Sequence, residues 1–190
     1  MRIVGIDPHI TGTGMVDVDD QQPLPTATTI TLGTGNSPSY RFRSRRIRHL
    51  VTRIWKWANG PDLVVMTGMP IGGDQTPNAQ DHCGLWHGIY GALDHAGVPI
   101  TVVLPGVTER WVTGREAVTA ADVQTVATCW APAVGDTATT ALAAGHAYMG
   151  ALRVGDPVPF TPRPRHHRAL DLVVWPSDLC PKPDTSQVTA

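Results

Sequence analysis

Residues Arg2-Ile3-Val4-Gly5-Ile6-Asp7-Pro8-His9-Ile10-Thr11-Gly12-Thr13-Gly14-Met15-Val16-Asp17-Val18 decide the fold. The run 2–6 is short, apolar and β-branched, as a buried strand should be, and 8–14 is a turn of Thr and Gly. Met15-Val16-Asp17-Val18 alternates like a strand with one wetter face, and 27–32, which follows Pro23 and Pro25, is a Thr-rich third strand. Three short strands joined by tight turns predict an antiparallel meander. Asp7 then stands at the end of its most buried strand.

Downstream the pattern changes period. Ile47, Leu50, Val51, Ile54, Trp55 and Ala58 recur at helical offsets up to Asn59-Gly60-Pro61, which stops the helix. Asp62-Leu63-Val64-Val65-Met66 has the continuous apolar character of a strand covered on both faces. A Gly/Pro-rich loop over 68–78 leads to a helix over 81–96 with Leu85, Ile89 and Leu93 on one side, and 98–104 is a further strand. Thr119 and Asp122 form a capping box that opens another helix, and Asp136 or Thr137 caps a last one reaching about Ala151. Three strands, helix, strand, helix, strand and two helices predict an α/β, ribonuclease-H-like fold: a mixed five-stranded sheet flanked by helices. One domain over 1–156 is expected. A Pro-rich, partly basic extension over 157–190 follows, in which Arg163, Arg165, His166, His167 and Arg168 are either further phosphate contacts or a flexible tail.

The chain has 190 residues, 42% of them hydrophobic, and its 15 Lys+Arg nearly balance 16 Asp+Glu. That excludes collagen-like, expanded disordered and membrane-spanning classes. Cys83, Cys129 and Cys180 show neither a disulfide framework nor zinc spacing, so a cytoplasmic protein with no membrane association is expected. The balance of charge conceals an asymmetry. No acid occurs between Asp20 and Asp62, whereas Arg41, Arg43, Arg45, Arg46, Arg48, Arg53 and Lys56 all fall there. Solubilising faces normally mix signs, so this helix reads as an array for backbone phosphates, with Tyr40 and Phe42 interleaved as candidate stacking residues.

Gly5-Ile6-Asp7-Pro8-His9-Ile10-Thr11-Gly12-Thr13-Gly14 resembles the first motif of the RuvC-type Holliday junction resolvases, particularly the small RuvC-like proteins of actinobacterial phages. The resemblance continues in order through the Arg-rich helix, Asp62-Leu63-Val64-Val65-Met66-Thr67-Gly68-Met69-Pro70, Asp81-His82-Cys83-Gly84-Leu85-Trp86, Ala96-Gly97-Val98-Pro99, Thr113-Gly114-Arg115, His167-Arg168-Ala169-Leu170-Asp171 and Trp175-Pro176. It implies a homodimer that engages a four-way junction or other branched DNA. It also implies Mg²⁺ held by clustered carboxylates, which activate water against a phosphodiester.

Asp7 matches the first of those carboxylates, and Asp136 is the acid retained near the last motif; these two are the expected catalytic and metal-binding residues. Thr67 stands where the second acid is expected, Thr140 where the final Asp falls, and Ala120 where the family has a lysine. Hydrolysis is therefore expected to be lost or reduced. Two other readings stay open: an active Mg²⁺-dependent resolvase with remodelled ligands, and a non-enzymatic protein-interaction module on the same fold. His146, Asp74, Asp81 and the trio Asp17, Asp19 and Asp20 are the candidate substitutes.

Overall fold

The computed structural model describes residues 1–32, 39–69, 77–177 and 179. The sequence break at 33–38, most of the loop before α2 with Asp74, and the end of the chain with Cys180 lie outside the described residues.

Five strands, β1 (Arg2–Asp7), β2 (Thr13–Asp19), β3 (Thr26–Ile30), β4 (Leu63–Thr67) and β5 (Ile100–Val103), form one sheet in the order β3-β2-β1-β4-β5. The meander pairs antiparallel, and β1–β4 and β4–β5 pair parallel. The parallel pairs need crossover connections, which α1 (Tyr40–Ala58) and α2 (Pro77–His95) supply. The mixed five-stranded α/β sheet expected from the sequence is the one observed.

Strand alternation divides the core in two. Val4 and Ile6 of β1 and Val64 and Met66 of β4 face α1 and α2, where they meet Leu50, Ile54, Leu85 and Ile89. Ile3, Val16, Leu63 and Val65 face the opposite layer, built from α3 (Val107–Thr113), α4 (Ala120–Trp130) and α5 (Ala138–Val154). Both faces are covered, which explains why β1 and β4 read as continuous apolar runs.

The helix α5 lies directly on the sheet centre. A Cβ at Gly5 would collide with the backbone of Ala143 and Ala147, and one at Gly14 with that of Thr139 and Thr140. The small residues Ala143, Ala144 and Ala147 make the approach equally close from the helix side. In α2, Gly84 and Gly88 receive Ile47 and Val51 of α1.

Three α-helices differ from the sequence expectation. The helix α2 begins at Pro77 rather than at 81, α3 is an addition to the expected elements, and α6 (Pro164–Leu170) occupies the stretch left open between phosphate contacts and flexible tail. His166 and Leu170 of α6 are buried, and Phe160 stacks on Trp130 with centroids 5.0 Å apart. The Trp111 indole N–H donates to the His166 carbonyl at 3.2 Å. This stretch is folded onto the core, because its aromatic and aliphatic side chains complete a cluster with Trp111, Trp130 and Tyr148.

Candidate functional site

Asp7 ends β1 on the α5 side of the sheet. It lies in register with Gly14 of β2, the glycine that admits the N-terminus of α5. Next to it in the sheet, β4 ends at Thr67, whose hydroxyl donates to Asp7 Oδ1 at 2.6 Å. Burial pushes the Asp7 carboxyl up to about 6; the Thr67 hydrogen bond acts in the opposite sense, and the charge of Glu109 adds to the rise. The charge of Glu109 is thus felt at this end of the sheet. Its carboxylate accepts from the Gly106 N–H at 2.8 Å, closing the first turn of α3.

Thr140 is buried at the start of α5 and spends its hydroxyl on its own helix. The Oγ1 accepts from the Thr137 N–H and donates to the Thr137 carbonyl, both at 3.0 Å, while the Thr140 N–H donates to Thr137 Oγ1 at 3.1 Å. The Thr29 and Thr137 hydroxyls, 3.3 Å apart, connect this cap to β3. Asp136 is exposed, one residue before the Thr137 N-cap. Beyond the tip of β1, a His82 ring nitrogen lies 2.6 Å from the Pro8 carbonyl, and the His9 and His82 rings meet edge to face. The Trp86 indole N–H donates to the Thr67 carbonyl at 2.7 Å, which fixes the end of β4 against α2.

The other candidate ligands are engaged elsewhere. Asp17 pairs with Arg2 at 2.7 Å, Asp20 with the terminal ammonium, and Asp81 with Arg43 at 2.7 Å. His146 is buried inside α5, and neither ring nitrogen is hydrogen-bonded among the described residues. Among the described residues no three His, Cys, Asp or Glu side chains group closely enough to hold a metal ion.

The basic helix separates into two sets. Arg43 is fixed by Asp81 and lies over the Tyr40 ring, Arg46 approaches the Ile10 carbonyl at 3.4 Å, and Arg53 donates to the Thr31 carbonyl at 2.6 Å. These three hold α1 against its neighbours. Arg41, Arg45 and Arg48 recur every three to four residues along one exposed face, and their side chains have no partner among the described residues. Tyr40 and Phe42 are exposed at the same end of the helix. Glu109 is the residue that sequence reasoning missed. It sits on a seven-residue helix whose flanking Gly106 and Gly114 read as loop, so its proximity to Asp7 had no signal in the sequence.

Comparison with solved structures agrees with this fold. The structure of Thermus thermophilus RuvC superposes with a TM-score of 0.53 at 21% identity, covering 79% of this chain and 97% of that one. T. thermophilus RuvC in complex with a Holliday junction substrate gives a TM-score of 0.51 at 20% identity, covering 77% and 93% respectively. The fold is that of RuvC. No protein-family model and no curated protein matches the chain. Within the RuvC fold, Asp7 and Thr67 stand side by side at the ends of the two central strands. Among the described residues, no helix is long and apolar enough to cross a membrane.

Proposed function

We propose that this chain binds branched DNA, four-way junctions above all, through the arginine face of α1, and that it hydrolyses phosphodiesters slowly or not at all. The observation that carries the reading is the contrast between a ready cationic face and a sheet end that, among the described residues, is poor in acids. Arg41, Arg45 and Arg48 present guanidinium groups free to take backbone phosphates. Among the described residues, Asp7 accepts from the Thr67 hydroxyl and feels the charge of Glu109, whose carboxylate already caps α3.

That donor set does not fit a pair of Mg²⁺ ions. Hard divalent cations take several oxygen ligands and need carboxylate charge to be held, and Thr67 and Thr140 contribute none. Of the acids at the family's positions, Asp7 heads the site and Asp136 stands before the α5 cap. The alternative of an active nuclease with remodelled ligands draws its support from Glu109, whose charge reaches Asp7. In the reading preferred here, two copies engage one junction as a homodimer, since the substrate itself is twofold symmetric.

Charge reversal tests the surface. The triple variant Arg41→Glu, Arg45→Glu, Arg48→Glu should lose most of its affinity for a labelled four-way junction while keeping its thermal midpoint. Unchanged affinity would point instead to a protein-interaction module.

A further inference from the structure

Positive charge also gathers where neither Asp7 nor α1 uses it. A pocket of about 300 Å³ opens between α3, the turn that follows it and α6, and Arg110, Arg115, Arg165 and Arg168 all line it. Among the described residues the one carboxylate in the lining is Glu116, which is almost fully exposed and lies 3.3 Å from Arg110. Arg115 pairs at 3.2 Å with Asp122, which also holds the Thr119 cap. Both pairs are exposed, so neither neutralises the pocket strongly. Arg165 and Arg168 have no partner among the described residues.

Arg165 is the central group. Its guanidinium packs so closely over Gly114 that a Cβ there would come within 2.9 Å of Cζ and Nε, and Gly114 takes a positive φ of 74°. The Arg165 Nε is buried and makes no hydrogen bond among the described residues. A buried donor left without an acceptor is unfavourable, so the group is suited to a ligand that supplies one. Burial, and after it the charge of Arg163, pulls the pKa of Arg165 down, as expected of a cation that lacks a counter-ion. Trp111 and Leu172 give the pocket an apolar side, which strengthens any charge interaction formed within it.

We propose that this pocket is a phosphate-binding subsite, in which Arg165 and Arg168, flanked by Arg110 and Arg115, take the oxygens of a single phosphate group. Planar guanidiniums suit such an oxyanion because each offers paired N–H donors, and several of them spread over its oxygens. The phosphate belongs either to a nucleic-acid backbone or to a free phosphate ion. Glu109 and Arg110 are consecutive on α3, one acting on Asp7 and the other lining the pocket, so the subsite flanks the sheet-end site without being part of it. The proposal does not depend on junction binding.

The test follows the Arg165 Nε–Hε resonance by NMR, assigned with Arg165→Lys, while the full chain is titrated with sodium phosphate against sodium chloride at equal ionic strength. A downfield shift with phosphate that chloride does not reproduce is expected. In parallel, the salt dependence of duplex DNA binding is compared between the parent and Arg168→Gln, an exposed change that should fold normally. A log–log slope shallower by about 0.9 assigns the pocket to a backbone phosphate. A phosphate-induced shift with an unchanged slope assigns it to free phosphate. If neither phosphate nor duplex moves the resonance beyond the chloride control, the subsite does not exist. The phosphate arm needs no DNA, so its failure is separable from failure of the α1 surface.

Discussion

The Thr67 hydroxyl donates a 2.6 Å hydrogen bond to the Asp7 carboxylate. A neutral donor therefore satisfies the strand-end acid at the place where a second acid would have to stand for the two to share a cation. The arrangement has consequences for stability as well as chemistry, because a carboxylate that is buried and only partly compensated destabilises the fold when it ionises.

With a carboxyl pushed up to about 6 from the ordinary 3.8, the folded chain holds a proton between those values that the unfolded chain has released. Asp7 thus adds stability that is fully present below about pH 4 and lost as pH rises through about 6. Replacing it by Asn should flatten that limb and stabilise the protein by up to about 3 kcal/mol near neutral pH, because a tenfold change in proton affinity is worth about 1.4 kcal/mol. Urea unfolding of both proteins at acidic and neutral pH checks this. A variant less stable than the parent at neutral pH would contradict it.

His146 predicts the opposite slope. Its ring is 1% exposed and without a hydrogen-bond partner among the described residues, and burial lowers its pKa to about 3. As pH falls below about 6.5 the unfolded chain takes up a proton that the folded chain refuses, so stability declines until about pH 3. His146→Leu should remove about 1–2 kcal/mol of this loss near pH 5. The measurement is the thermal midpoint at neutral and acidic pH. Identical acid sensitivity in the two proteins would refute the assignment.

The close contact of α5 with the sheet makes Gly14 intolerant of any side chain. Gly14→Ala forces the first turn of α5 away from Asp7 and should destabilise by roughly 3 kcal/mol or more. Gly91→Ala, at an open position of α2, is the matched control and should be neutral or stabilising by up to about 1 kcal/mol. Urea midpoints separate the two, and equal changes would argue against tight packing at Gly14.

Within α1 the arginines should divide by role. Arg43→Gln removes the ion pair with Asp81 and should lower the thermal midpoint, with a smaller effect on DNA affinity than reversal at Arg45. Arg53→Gln should behave similarly through its bond to the Thr31 carbonyl. Unfolding curves and duplex titrations of the same samples show whether stability and affinity separate in this way.

What was legible in the sequence follows from local physics. Alternation and helical period reveal the sheet, α1 and the capping box at Thr119, because each is written in neighbouring residues. The seven residues of α3 are too few to show a period between Gly106 and Gly114. In α6 the prolines and charges conceal the two inward positions, His166 and Leu170, four residues apart. The division of the arginines was equally hidden. Asp81, the Ile10 carbonyl and the Thr31 carbonyl reach Arg43, Arg46 and Arg53 only through the tertiary fold. The same holds for Glu109, whose charge acts on Asp7 from about a hundred residues away in sequence.

The most direct measurement is a native-gel titration of the purified chain against a labelled four-way junction and its linear duplex in Mg²⁺, with the same samples then run on a denaturing gel. The junction should be retarded at lower protein concentration than the duplex, with its strands intact. Strand cleavage that disappears in Asp7→Asn would contradict the account and make the chain an active resolvase.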